Sequence, residues 1–256
     1  MTQTAMTIDL NSDMGESFGA YRMGADEDLL TQVTSANVAC SFHAGDPRTM
    51  DATVRLAATA GVVVGAHVSY PDLVGFGRRQ LQVSGDELIT DVLFQIGALD
   101  AFCRRHQTAV RYVKPHGALY NDLADDPDLA GALAEAVLAY DPGLAVLVLA
   151  GSPAVDTLRD RGVRVVREGF ADRGYTAQGR LVPRRSPGAV ITDPAVVADQ
   201  GRRMAAGRPI EAADGSPLVM DVDSICVHGD TPGAVSLVQA LRQSLASHDV
   251  EVAPFA

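Results

Sequence analysis

The sequence predicts an α/β fold in which parallel strands close into an irregular seven-stranded (β/α) barrel, with residues 1–256 forming one domain. Three observations carry that prediction. Seven short apolar runs are separated by helical patterns. Asx-Pro or Ser-Pro pairs and a capping box open most of those helices. Polar groups follow nearly every apolar run instead of gathering at one place. Repeated strand–helix–strand alternation implies a parallel sheet with right-handed crossovers. An open doubly wound sheet concentrates function at one switch point, whereas a barrel spreads it over many strand ends. This chain shows the second pattern.

The first strand, Thr7–Leu10, contains Asp9. Side chains alternate along a strand, so Asp9 and Asn11 share one face, and Asp13 and Glu16 are expected on the loop above. A solvated acidic loop accounts for Glu16. It does not account for Asp9, because an acid inside a barrel needs a partner. The second strand, Asn37–Phe42, exits through His43, and Asp46-Pro47 then caps a helix. The third, Val62–Val68, exits at His67. Gly75-Phe76-Gly77-Arg78-Arg79 follows, a mobile glycine loop with two cations. Ser84-x-x-Glu87 is a capping box for a long helix to about His106.

The fourth strand, Val110–Lys114, leads into Pro115-His116-Gly117. Asp126-Pro127 opens a helix through about Tyr140, and Ser152-Pro153 opens another after the fifth strand, Ala145–Ala150. The sixth, Val163–Glu168, places Glu168 near the rim and continues to Asp172 and Arg173, which either pair with each other or leave Arg173 free to clamp an anion. Arg173–Val190 reads as a long loop or lid. Asp193-Pro194 starts a helix, and Asp214-Gly215 within Pro209–Met220 signals a hairpin. The seventh strand, Ser224–Val227, exits through His228-Gly229-Asp230-Thr231-Pro232, with Thr231 as the expected cap of a helix suited to an anion.

Composition narrows the function. A net charge of −11 argues against nucleic acid and membrane surfaces as partners, since both are polyanionic. The N-terminus has no basic stretch or long apolar run, so neither a signal peptide nor an anchor is expected, and a cytoplasmic location follows. Three widely spaced cysteines, Cys40, Cys103 and Cys226, read as buried hydrophobes in a reducing compartment. Arginine occurs twenty times and lysine once, at Lys114. A solitary lysine in so arginine-rich a chain marks a place for a compact amine that a planar guanidinium cannot fill.

Four of the six histidines, His43, His67, His116 and His228, stand at strand exits. Any one alone reads as structural; four on one rim read as a cluster for proton transfer near neutral pH. His106 and His248 lie at polar helix ends, where the dipole is sufficient explanation. No phosphate loop, dinucleotide fingerprint, nucleophile elbow or H-E-x-x-H is present. The histidines and aspartates are compatible with a divalent metal, but no local spacing demands one.

Several stretches together resemble one known family. They are Asp9–Glu16, Asn37–Pro47, Gly65-Ala66-His67, Gly75–Arg79, Val113–Tyr120, Phe170–Arg173 and Val227–Pro232. In order and over nearly the whole chain they are similar to the LamB/YcsF family. Ser41 and Val68 depart from its pattern, standing where Gly and Pro are expected. The resemblance implies a glycoside hydrolase/deacetylase-like barrel. It further implies a 5-oxoprolinase that cleaves 5-oxo-L-proline to L-glutamate as ATP is hydrolysed, with ATP and Mg2+ held wholly or partly by the partner subunits B and C. A homo-oligomer is compatible with it. On that basis Asp13, His43 or His67 is the expected general base, and Lys114 and His116 stabilise charge on oxygen. Asp9, Asn11, Arg78, Glu168, Arg173, His228, Asp230 and Thr231 are expected to bind substrate. The alternatives are a self-sufficient metal-dependent amidase or deacetylase and a non-catalytic lactam-binding subunit.

Overall fold

The computed structural model describes residues 6–231 and 233–256. In chain order the elements are β1 (Met6–Met14), α1 (Asp26–Leu29), β2 (Ser35–Ala39), α2 (Pro47–Ala60), β3 (Val63–Val68) and α3 (Gly85–Arg105). Next come β4 (Val110–Pro115), α4 (Gly117–Asp125), α5 (Pro127–Tyr140), β5 (Ala145–Leu149), α6 (Pro153–Asp160) and β6 (Arg164–Phe170). The chain ends with α7 (Pro194–Ala205), β7 (Ile210–Glu211), β8 (Pro217–Leu218), β9 (Ser224–Cys226), α8 (Ala234–Ala246) and β10 (Val250–Val252).

Seven parallel strands close a ring in the order β1-β2-β3-β4-β5-β6-β9. Closure comes from β9, which pairs Ser224–Cys226 with Asp9–Asn11 of β1 on one side and with Glu168–Phe170 of β6 on the other. The seven strands read from the sequence are these seven, with small changes of boundary. Outside the ring, β10 extends the sheet by pairing with Met6–Ile8, and β7–β8 form the expected antiparallel hairpin, with Gly215 at φ +82°. The short α1 and α4 and the strand β10 were not anticipated.

The shell between helices and barrel is apolar. Along α3, Leu88, Val92, Ile96, Leu99 and Cys103 are buried at helical spacing, behind the capping box at Ser84. Inside the ring, Tyr112, Ala145, Leu147 and Val166 plug the N-terminal end with Phe255, whose ring lies 5.1 Å from Tyr112. Tyr112 has room because residue 65 is glycine: a Cβ there would sit 2.2 Å from the tyrosine ring.

Three local expectations are corrected. β1 runs through Met14, so Asp13 lies on the strand and not on a loop. The backbone stays extended because Asn11–Met14 pair with Ser35–Val38 of β2. β2 stops at Ala39, because Ser41 turns into the left-handed region at φ 75° and donates to Gly45 O at 2.9 Å. That conformation explains why glycine is the expected residue there. Thr231 does not cap the last helix: α8 starts at Ala234 behind Gly233 at φ +79°. Pro232 lies outside the described residues.

Candidate active site

Alternation along β1 sends Asp9, Asn11 and Asp13 into the barrel at successive depths. At the lowest level Asp9 accepts hydrogen bonds from the hydroxyls of Thr34 (2.7 Å), Ser35 (2.6 Å) and Ser224. Burial raises its pKa to about 6. Both of its oxygens accept from these hydroxyls, so beneath the site Asp9 ties β1 to the start of β2 and to β9.

One level up, Asn37 donates to Asn11 Oδ1 and to Asp13 Oδ1, both at 2.8 Å, and accepts from the Tyr112 hydroxyl at 2.6 Å. Lys114 enters this layer from β4. Its ammonium lies 2.9 Å from Asp13 Oδ1, 2.8 Å from Glu168 Oε1, 3.2 Å from Asn11 Oδ1 and 3.4 Å from Cys226 Sγ. Cys226 is therefore part of the polar interior and not a plain hydrophobe. Burial disfavours the ammonium, but Asp13, Cys226 and Glu168 outweigh it and hold Lys114 charged. Burial likewise works against the Asp13 carboxylate, and His67 and Lys114 overcome it, keeping Asp13 well below the usual range. Glu168 meets the ammonium outside hydrogen-bond geometry; both of its buried oxygens lack a hydrogen bond, as does the buried hydroxyl of Tyr120. These orphaned groups form a polar recess at the barrel mouth.

Above Lys114 three imidazoles pack together. His43 and His116 stack with centroids 3.8 Å apart, and His67 stands edge-on to both. Glu16 joins them: its Oε1 lies 3.4 Å from His43 Nε2 and 3.7 Å from His116 Nδ1. This corrects the reading of Glu16 as a solvated loop acid, since it is 7% exposed. The loop folds inward because Gly15, at φ +70°, donates to Asp26 Oδ2 at 2.8 Å. Burial pushes the Glu16 carboxyl well up, with Asp13 and Asp230 adding to it. Burial and neighbouring imidazoles hold His43 and His116 well down. One ligand atom from each of Glu16, His43, His67 and His116 lies within 4.8 Å of the others, so this cluster could hold a metal ion.

The β6 and β9 exits supply another group. Asp172, fully buried, accepts from His228 Nδ1 at 3.0 Å, from His228 N at 3.1 Å and from the Thr231 hydroxyl at 3.2 Å. Burial opposes its charge, and His228 overcomes that to keep the carboxyl low. Asp172 thus pairs with His228 and not with Arg173. The Arg173 guanidinium donates through Nε to Ala189 O (2.8 Å) and through Nη2 to Val182 O (2.7 Å), which pins the 174–190 loop. Arg79 is likewise held by Asp72. Arg78 remains at the rim, 2.6 Å from Asp230, which also holds Arg184 at 2.8 Å.

The structure therefore gathers Asn11, Asp13, His43, His67, Lys114, His116 and Glu168 in one continuous interior. It places His228, Thr231, Asp230 and Arg78 at the rim, Asp9 beneath the interior, and Arg173 against the 174–190 loop. Glu16, Tyr120, Asp172 and Arg184 line the same interior and rim without having been expected there, although Glu16, Tyr120 and Asp172 lie within or at the ends of the polar stretches that follow strands.

The model of the LamB/YcsF family matches residues 8–256. A 5-oxoprolinase A subunit of Pseudomonas syringae pv. tomato is 53% identical over 249 residues, 97% of each chain. The 5-oxoprolinase A subunit of Mycobacterium avium is 53% identical over 248 residues, covering 97% of this chain and 98% of its own. Among solved structures, the lactam utilization protein of Thermus thermophilus superposes with a TM-score of 0.92 at 45% identity, over 98% of this chain and 100% of that one. A family 4 carbohydrate esterase from Streptomyces lividans shares the fold at TM-score 0.55 and 12% identity, over 98% of this chain and 93% of its own. The barrel is thus deacetylase-like. Among the described residues no helix is long and apolar enough to cross a membrane.

Proposed function

This chain belongs to the LamB/YcsF family, and from that membership we propose that it is the A component of an ATP-dependent 5-oxoprolinase, opening 5-oxo-L-proline to L-glutamate. The observation that carries the reading is the shared pocket: carboxylates, imidazoles and the only ammonium of the chain meet at one barrel end, in a chain half identical to proteins of that name.

A lactam carbonyl is a poor electrophile, because amide resonance stabilises it. Hydrolysis needs water delivered to the carbon, charge stabilised on oxygen and a proton given to the departing nitrogen. The buried Lys114 ammonium suits the second task. Asp13 serves less well as a base than expected: its carboxylate is held low, and Lys114 and Asn37 already donate to it. Its role is to keep Lys114 charged. Proton transfer falls to His228, which Asp172 orients through Nδ1, while Nε2 has no protein partner among the described residues. Nε2 takes a proton from the water as its oxygen bonds to the carbonyl carbon, and returns it to nitrogen, which keeps the electron pair as the C–N bond breaks. Arg78 holds the substrate carboxylate. An ion held by Glu16, His43, His67 and His116 would polarise the carbonyl oxygen.

ATP and Mg2+ are assigned to the B and C partners, since the chain carries no phosphate loop. The need for ATP accords with a cytoplasmic location. The test is glutamate release from 5-oxoproline by the chain alone, then with B, C and ATP. ATP-dependent release only by the assembled complex supports the reading. A second reading, a self-sufficient metal-dependent amidase, is favoured by the convergent Glu16–histidine cluster. ATP-independent release by the isolated chain, abolished by a chelator, would select it. A complex that keeps full turnover after Lys114→Met and His228→Gln would leave this chain with lactam binding as its only role.

A further inference from the structure

We infer that Glu16, His43, His67 and His116 form a centre for one divalent transition-metal ion, with all three imidazoles locked by the protein into the metal-binding tautomer. The argument begins with where the ring protons are. His67 Nδ1 lies 3.1 Å from Lys114 O, and His116 Nε2 lies 2.9 Å from Phe76 O. A carbonyl oxygen only accepts, so both nitrogens carry hydrogen. The Ser69 hydroxyl donates to Tyr70 O at 2.8 Å; it therefore accepts from His43 Nδ1, 3.1 Å away. That nitrogen carries hydrogen as well.

In a neutral imidazole the remaining nitrogen is a lone pair. These nitrogens are His43 Nε2, His67 Nε2 and His116 Nδ1, and they converge with Glu16 Oε1. His67 Nε2 and His116 Nδ1 face each other at 2.9 Å, lone pair against lone pair. His43 Nε2 faces Glu16 Oε1 at 3.4 Å, and both atoms are buried without a hydrogen bond. Each contact is repulsive until something positive lies between its members.

Protons relieve this only piecemeal. An imidazolium at His67 donates to His116 and leaves His43 and Glu16 unrelieved; a protonated Glu16 does the reverse. One dication serves all four ligands. Bonds of about 2.0–2.1 Å in a tetrahedral shell set ligand atoms roughly 3.3 Å apart. Three of the six separations, 2.9, 3.4 and 3.7 Å, bracket that value, and all six lie within 4.8 Å, so a bound ion would draw the wider pairs inward. Ligand histidines commonly donate their second N–H to an oxygen acceptor, as all three do here. Three imidazoles and one carboxylate suit zinc, cobalt, nickel or ferrous iron, and not calcium or magnesium. Asp13, 3.3 Å from His67 Nε2, is already matched by Lys114, so Glu16 supplies the centre's negative charge.

The test is metal binding itself, which needs neither the lactam nor the partner subunits. The full chain, purified without a histidine tag and stripped with a chelator, is titrated with Zn2+ by calorimetry and with Co2+ by visible absorption. One ion per chain, with cobalt ligand-field bands that zinc removes, is the expected result. Glu16→Gln and His43→Gln should each weaken binding by on the order of a hundredfold. Ser69→Ala, which frees the His43 ring, should weaken it roughly 10–100-fold. Circular dichroism establishes that each variant is folded, and His106→Gln, remote from the cluster, should bind as the parent does. Absence of bound ion, or unchanged affinity in folded Glu16→Gln and His43→Gln chains, overturns the inference. So does nitrogen NMR showing a proton retained on His67 Nε2 in excess zinc. Intact metal binding in a complex that releases no glutamate would fault the lactam reading and leave the centre standing.

Discussion

Lys114 concentrates the electrostatics of the barrel in one side chain. Lys114 is 2% exposed, and its ammonium touches two carboxylates that are themselves buried, Asp13 and Glu168. Lys114→Met removes the charge and strands Asp13 and Glu168, which costs about 3–5 kcal/mol, the usual consequence of breaking a buried ion pair from one side. Denaturant unfolding should show that loss, together with near-complete loss of glutamate formation. Lys114→Arg should not restore activity, because the guanidinium exceeds the space bounded by Asn11, Asp13, Glu168 and Cys226. A fully active arginine variant would show that only the charge matters. Asp9 makes the opposite kind of prediction. Its folded pKa, about 6, exceeds the ordinary 3.8, so the folded state binds the proton more tightly than the unfolded chain. The contribution of Asp9 to stability is therefore greatest below about pH 4 and declines as pH rises to about 6, by about 3 kcal/mol. Asp9→Asn should remove that decline. Parallel urea-midpoint profiles for the two chains between pH 4 and 7 would show the slope to come from elsewhere.

At the scale of elements, the loops after β3 and β4 position the histidines as much as the strands do. Gly77 stands at φ +64°, and a Cβ there would lie 2.8 Å from His116 Cδ2 and 2.9 Å from His43 Cβ. Its carbonyl accepts from Ala118 N at 2.8 Å, which fastens the β3 exit loop to the start of α4. Gly77→Ala should cost about 1–3 kcal/mol from the left-handed backbone. It should also depress kcat well beyond what that instability explains, since the stacked imidazoles have to separate; thermal unfolding and kcat measured together distinguish the two effects. Such loops explain what was and was not legible in the sequence. The strands were readable because buried parallel strands are short apolar runs, and the helices because Asp46, Ser84, Asp126 and Asp193 announce them by cap chemistry. His43, His67, Lys114 and His116 were readable because each lies at the end of an apolar run or just past it. Glu16 was not: its burial depends on Gly15 and Asp26 folding a polar loop inward, and an acidic stretch reads as solvated until that contact is seen. The partners of Arg173 and Asp172 stayed open for a related reason. Adjacent residues on a turn point to different partners, and their partners, Ala189 and His228, are distant in sequence.

For the whole molecule, the decisive feature is that the barrel mouth is assembled from opposite ends of the chain. At its rim Asp230 ties distant segments together, holding Arg78 from the β3 exit at 2.6 Å and Arg184 from the 174–190 loop at 2.8 Å. Arg78 lies 4.7 Å over the Phe76 ring, and Phe76 O in turn fixes His116. Loosening Asp230 therefore reaches the histidine cluster through two contacts. The same ties do little for global stability, because the Arg78 side chain is 37% exposed and pairs of that kind are worth about 0–1 kcal/mol. Asp230→Asn should leave the unfolding midpoint almost unchanged yet raise KM for 5-oxoproline several-fold, about 1 kcal/mol of lost substrate positioning. Salt should imitate the substitution: rising ionic strength screens exposed pairs, so KM of the parent complex should climb toward that of the variant while the variant responds less. Equal salt dependence in the two complexes would mean that Asp230 merely decorates the rim, and that the mouth is held in register by the barrel closure at β9 alone.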